Sequence, residues 1–241
     1  MTVAVACNLS DGVILGVDSA VTVPTPTGIL KVYENAEKLF QLGTRPIGVA
    51  GYGLGAMAGR GIGSHLREFE LSDPNNVVTG SSTMAQVVEE MRAFFMAAYQ
   101  RDVIPVLESE EGKDFKDFTP EEIPVLGLAV GGFSHGAYLS EVWEILLPEH
   151  STPNSATLRK NQGDFGSDWF ATFEPIRRYV KGFDPFLVGE VANFFVGLLG
   201  RPLKKKEESA LEGILGRYEY GVPFAAMPMD EGVAIRDSLS N

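Results

Sequence analysis

The sequence predicts an α+β fold in which an antiparallel pair of sheets lies between helix layers. Three observations carry this. The chain opens on paired β-branched runs, its centre holds a strongly periodic helix, and strand-like runs return after it. The resulting order of strands, helices, strands, helices, strands lacks the strict alternation of a doubly wound parallel sheet. No repeat of ~20–50 residues is visible, and one domain covering residues 1–241 is the expected organisation.

The runs Val3 to Asn8 and Val13 to Asp18 flank Leu9-Ser10-Asp11-Gly12. Asp-Gly between β-branched runs is a strong hairpin signal. A looser stretch with Pro24, Pro26 and Gly28 follows. Lys38 to Leu42 and Ile47 to Gly51 then read as two short strands, and Gly53 to Phe69 as helical. Thr83 to Arg101 is the clearest helix: Thr83 and Gln86 make a capping box, and Val87, Met91, Phe94, Phe95 and Ala98 recur at helical spacing. Glu108 to Glu122 is an acidic surface excursion, and Val125 to Phe133 and Tyr138 to Leu146 are strands. Pro148 to Gly163 reads as a loop. Ser167 to Lys181, Pro185 to Leu199 and Lys206 to Tyr220 read as helices, with short strands around Phe224 to Met229 and Val233 to Ile235.

Composition narrows the function. Hydrophobic residues make up 44% and charged residues 22%, enough for a core and ordinary for a globular chain. With 20 basic and 32 acidic residues the net charge is −12, which argues against a sequence-independent hold on nucleic acid or an anionic membrane. The lone Cys7 makes neither an internal disulfide nor a cysteine-rich zinc site. No basic segment precedes an apolar stretch at the N-terminus, and Phe186 to Gly200, interrupted by Glu190 and Asn193, is shorter than the ~20 apolar residues of a membrane span. The expectation is a soluble, cytoplasmic protein. Lys204-Lys205-Lys206-Glu207-Glu208 reads as a solvated helix start, and Phe183, Phe186, Phe194 and Phe195 as core.

Three motifs compete for the active site. Gly51-Tyr52-Gly53-Leu54-Gly55-Ala56 matches the G-x-G-x-x-A pattern of a dinucleotide-binding protein. No second strand ending in an acidic residue follows its helix, so a tight turn needing small residues is the preferred reading. Gly132-Phe133-Ser134-His135-Gly136 fits G-x-S-x-G, yet leads into a strand where a nucleophile elbow leads into a helix, and reads as a hairpin turn. The third motif starts at Thr2. Removal of Met1 would expose a threonine whose own α-amine, of pKa ~7.7–8 when unperturbed, can take the hydroxyl proton. Such a nucleophile needs no histidine.

The pattern after Thr2 is Gly16-Val17-Asp18-Ser19-Ala20-Val21-Thr22, then Glu37-Lys38-Leu39-Phe40-Gln41, then Val49-Ala50-Gly51. It resembles the β-type subunits of the proteasome family, including its bacterial-type homologues, which are N-terminal-nucleophile (Ntn) hydrolases. The resemblance runs well from Thr2 to about Glu70 and continues as an order of elements. By position it implies Thr2 as nucleophile, Asp18 as the acid ending the second strand and Lys38 as the lysine, with Lys31 a weaker alternative. It implies Gly51 as oxyanion donor, Ala20 and Thr22 at the substrate, and Ser167, more weakly, near the N-terminal amine. An Asp–Ser pair that the family keeps late in the chain is missing: the corresponding stretch reads Arg217-Tyr218-Glu219-Tyr220-Gly221.

The resemblance further implies a four-layer αββα sandwich and a threonine-type peptidase or amidohydrolase. It would work inside a homo-oligomeric ring or stacked ring on peptides or unfolded chains. No metal or organic cofactor is implied for the hydrolysis, and an unfoldase partner, as found for some relatives, would fit. A proteasome-like structural ring subunit without peptidase activity is the competing reading, which the missing Asp–Ser pair favours.

Overall fold

In the computed structural model the described residues are 3–23, 31–33, 36–148, 156–171 and 186–215. The chain divides into two compact units, Met1–Ala171 with Phe224–Asn241, and Thr172–Pro223.

The first unit is built on two antiparallel sheets. β1 (Val3–Leu9) and β2 (Gly12–Val17) form the expected hairpin, closed by Ser10 and Asp11. β12 (Gly166–Ala171) pairs with the other edge of β1, giving the order β12-β1-β2. The second sheet has the order β11-β10-β9-β6-β5. Its strands are β5 (Leu39–Gln41), β6 (Ile47–Gly53), β9 (Leu126–Gly132), β10 (Glu141–Leu147) and β11 (Ala156–Lys160). Two small ribbons complete the strands among the described residues: β3 (Val21–Val23) with β4 (Lys31–Tyr33), and β7 (Ala56–Met57) with β8 (Arg60–Gly61).

Small residues let the sheets approach face to face. Ala4, Ala6, Ala50 and Ala129 share the inter-sheet core with Leu15, Tyr52, Val142 and Phe170. A Cβ at Gly48 or Gly131 would come within 3.0 Å of Leu15 or Val13. The outer face of the second sheet is covered by α1 (Ile62–Ser72), α2 (Met84–Asp102) and α3 (Ile104–Glu111). Phe69, Phe95 and Tyr99 are fully buried there, and such side chains contribute ~1.5–3 kcal/mol each on burial. α2 carries both halves of its capping box: Thr83 Oγ accepts from the Gln86 N–H, and Gln86 Oε1 accepts from the Thr83 N–H at 2.9 Å. The chain is thus an α+β sandwich of antiparallel sheets flanked by helices.

The second unit holds α4 (Phe186–Leu199) and α5 (Lys205–Leu215). Arg201 grips Glu207 through both guanidinium nitrogens at 2.7 and 2.8 Å, which pulls Glu207 down to about 2. The Glu207 carboxylate also accepts the Lys204 N–H, so this segment is a helix start as expected. Phe194 and Phe195 are exposed (64% and 41%), not core. Phe183 lies outside the described residues, as does the Phe186 side chain. No helix among the described residues is long and apolar enough to cross a membrane.

Several expectations are corrected. The stretch after Gly53 is not helical until Ile62: the β7–β8 hairpin intervenes, turning on Ala58 (φ 47°) and Gly59 (φ 73°). Glu108 to Glu111 finishes a helix. Residues 156–160, expected in a loop, are the edge strand β11, and 167–171, expected to open a helix, belong to β12. The remainder of the expected 167–181 helix, residues 216–220 and both expected C-terminal strands lie outside the described residues.

His65 on α1 is fully buried. Its Nε2 faces the Met57 carbonyl at 3.4 Å, so that nitrogen carries the proton, and Nδ1 has no partner among the described residues. Burial first, and then the charge of Arg60, hold its pKa below 6.5, against the Met57 carbonyl, Asp102 and Glu68. The unfolded chain therefore takes up the proton first as pH falls. This contribution to stability is complete above pH 6.5 and is lost as pH drops through the folded value. His65→Met is expected to flatten the fall of Tm as pH drops below 6.5, read by thermal denaturation; an unchanged slope would contradict it.

Candidate functional site

One corner of the sandwich brings together Asp18, Lys38 and Gly51. Asp18 follows β2 directly, and its N–H donates to the Val3 carbonyl at 3.0 Å, extending the hairpin ladder by one rung. The return bond is unusual. The Val3 N–H, which is the nitrogen of the Thr2–Val3 peptide, donates to the Asp18 side chain at Oδ1, 3.1 Å away. The same oxygen meets Lys38 Nζ at 3.3 Å. Lys38 Nζ also donates to the Ala20 carbonyl at 2.5 Å. The Lys38 and Asp18 side chains are only 12% and 20% exposed, so water screens the pair little.

Lys38 itself stands just before β5. Its carbonyl accepts the Gly51 N–H at 2.8 Å, which adds a rung beyond the Leu39–Ala50 pairing. A continuous set of bonds thus joins Val3, Asp18, Ala20, Lys38 and Gly51 across both sheets. Thr2 lies outside the described residues. The Gly51 N–H, expected to face an oxyanion, is committed to the Lys38 carbonyl. Thr22 sits on β3 opposite Val32, and among the described residues β3 pairs only with β4. Lys31 is on β4, opposite Val23, and the amine that meets Asp18 is that of Lys38.

Ser167 is not brought to this corner. It pairs with Cys7, whereas Val3 pairs with Ala171, so Ser167 lies four residues, roughly 13 Å, down the strand. The residue beside Val3 is Ala171, in a left-handed conformation (φ 62°) that costs an L-residue on the order of 1 kcal/mol. Nothing in a stretch that reads as helical marks it. Cys7 is buried within β1, and burial pushes its thiol up to about 11, far from a reactive thiolate.

The two other motifs are structural. β6 runs through Gly53 into the β7–β8 hairpin, and α1 begins only at Ile62, so the glycines do not present a helix N-terminus to a pyrophosphate. Ser134 lies in the turn between β9 and β10. Its Oγ accepts the Met84 N–H at 2.8 Å, capping α2 from outside, and donates to Glu141 Oε1 at 2.9 Å. Glu141 is buried and also takes Trp143 Nε1–H at 3.0 Å and Gln162 Nε2–H at 2.8 Å. Ser134→Ala is expected to cost ~1–2 kcal/mol in denaturant unfolding and to leave any hydrolytic activity intact. Loss of activity without loss of stability would restore the elbow reading.

Beside the corner, a groove of about 950 Å³ runs along α1, lined by Glu37, Phe40, Arg60, Ile62, Arg67 and Leu71 among others. Among the described residues no cluster of His, Cys, Asp and Glu is arranged to hold a metal ion.

No family model matches the chain, and no curated protein matches it. Among solved structures it is similar to Anbu (ancestral beta-subunit) from Yersinia bercovieri, with 18% identity and a TM-score of 0.45 over 74% of this chain. The match spans 65% of that protein's length. It is also similar to the Anbu Gly-1 mutant from Hyphomicrobium sp. strain MC1, with 12% identity and a TM-score of 0.44 over all of this chain and 92% of the other. Anbu from the same strain gives 11% identity and a TM-score of 0.40 over 99% and 92%.

Proposed function

We propose that the chain is an N-terminal-nucleophile hydrolase that cleaves amide bonds with Thr2 once Met1 is removed. The observation that supports this most is the shielded Asp18–Lys38 pair, anchored on the Val3 N–H at one covalent step from Thr2. Lys38 supplies positive charge beside the Thr2 hydroxyl and lowers the cost of its ionisation. Thr2 Oγ attacks the substrate carbonyl while its proton passes to the α-amine. The oxyanion takes the Gly51 N–H, which exchanges its bond to the Lys38 carbonyl; losing one such donor costs ~3–4 kcal/mol in a well-studied protease. Collapse breaks the C–N bond, and the leaving amine departs with the proton. Water, giving its proton to the freed α-amine, then hydrolyses the ester on Thr2.

The substrate is a peptide or unfolded chain, its backbone lying along the Ala20–Thr22 segment and the adjoining groove. The enzyme works as a homo-oligomeric ring, with room for an unfoldase partner. The test is hydrolysis of fluorogenic peptides by the processed protein and by Thr2→Ala. Activity in the first and none in the second supports the reading, and equal activity in both overturns it.

A second reading, a ring subunit without peptidase activity, is favoured by the Gly51 N–H already in use and by Ser167 lying remote from Val3. Processed protein that hydrolyses nothing would select it.

A further inference from the structure

Tyr52 follows Gly51 on β6 and points the opposite way, into the space between the sheets, where it is 6% exposed. Its ring stacks on Phe170 of β12, centroids 6.0 Å apart and planes 27° apart. Phe170 pairs with Ala4 and precedes Ala171, the residue opposite Val3. The Tyr52 hydroxyl donates to Glu144 Oε1 on β10 at 2.5 Å. Glu144 is held in turn by Arg159 at 3.5 Å, and Arg159 lies over the Phe170 ring at 5.8 Å and reaches Asp168 at 3.5 Å. Space for the ring exists because its cross-strand partner is Gly127, where a Cβ would fall 2.0 Å from the ring. Burial and the Glu144 charge drive the phenol's pKa upward, so the hydroxyl remains a donor.

These contacts tie together two strand ends that share no direct hydrogen bond ladder. On one side stands Gly51, on the other Val3 and Ala171. We propose that Tyr52 is a positioning residue: stacked on Phe170 and anchored on Glu144, it fixes the Gly51 peptide at a set distance from the start of β1. The catalytic consequence rests on the Thr2 reading; the mechanical one does not. A network of this kind accounts for a charged cluster of Glu144, Arg159 and Asp168 at an inter-sheet edge that hydrophobic packing alone would not require.

The experiment compares Tyr52→Phe, which keeps the ring and removes the hydroxyl, with Glu144→Gln, which keeps an acceptor oxygen. Hydrogen exchange of the segments 47–53 and 166–171 is followed by mass spectrometry, together with the rate at which a threonine-directed electrophile labels residue 2. Tyr52→Phe is expected to speed exchange in both segments roughly tenfold, and to slow labelling roughly 10- to 100-fold, the scale set by small misplacements of reacting groups. Glu144→Gln, which still accepts from the Tyr52 hydroxyl, is expected to keep most of the wild-type protection and labelling rate. Unchanged exchange in Tyr52→Phe overturns the strut. Faster exchange with unchanged labelling overturns its link to the site. If the wild-type chain is never labelled, the hydrolase reading fails, and the exchange data alone decide the strut.

Discussion

Lys38→Met is expected to lower peptide hydrolysis by ~10³-fold or more, about 4 kcal/mol of transition-state stabilisation. Methionine keeps an unbranched stem and removes only the ammonium. That group meets Asp18 Oδ1 at 3.3 Å and the Ala20 carbonyl at 2.5 Å, so its loss frees the segment on which substrate is expected to lie. Asp18 would keep the Val3 N–H and lose its counter-charge. Because the pair is largely shielded, Asp18 left without its counter-charge is expected to cost the fold ~3 kcal/mol as well. Lys38→Arg should fare little better, since a planar fork does not replace a compact ammonium reaching two acceptors. The measurement is kcat/KM on a fluorogenic peptide beside denaturant unfolding. Hydrolysis at the wild-type rate in Lys38→Met would move the chemistry elsewhere.

Gly53→Ala is expected to be the most damaging change in the glycine-rich run, costing about 3 kcal/mol or more. Gly53 has φ 78°, and a Cβ there would lie 2.1 Å from the Val125 carbonyl oxygen, a backbone atom with nowhere to move. Gly51 makes the opposite case. Its Cβ would meet Ile62, Leu128 and the Lys38 carbonyl at 3.7–3.9 Å, all ordinary contact. At Gly55 nothing lies within 4 Å. Gly51→Ala and Gly55→Ala should therefore fold with near-native midpoints. If Gly53→Ala unfolds no more readily than they do, the strand-to-hairpin geometry is wrong.

Much of the fold was legible because burial wrote it into the pattern. Val3 to Asn8 and Val13 to Asp18 are β-branched and joined through Asp-Gly, and Val87, Met91, Phe95 and Ala98 mark the buried face of α2. The missed strands lie where burial is one-sided or replaced by charge. β11 reads Ala-Thr-Leu-Arg-Lys at a sheet edge with little apolar alternation. β12 carries Asp168 inside an ion network with Arg159 and Lys160, so neither period stands out. That error also explains Ser167: read on a helix it had no fixed neighbour, and on β12 it falls beside Cys7. The β7–β8 hairpin turns on Ala58-Gly59, and alanine gives no hint of a positive φ.

At the candidate site, Asp18 and Lys38 came from the family resemblance, and the structure brings their side chains together. The support beneath them did not. No local pattern marks Tyr52, because its partners Glu144 and Phe170 come from distant strands whose pairing the sequence does not announce.

The most direct measurement is the mass of the purified chain before and after a threonine-directed electrophile, followed by peptide mapping. The account predicts a chain lacking Met1 that gains one adduct on residue 2, with no adduct in Thr2→Ala. A processed chain that stays unmodified, or an adduct mapping to another residue, would contradict it.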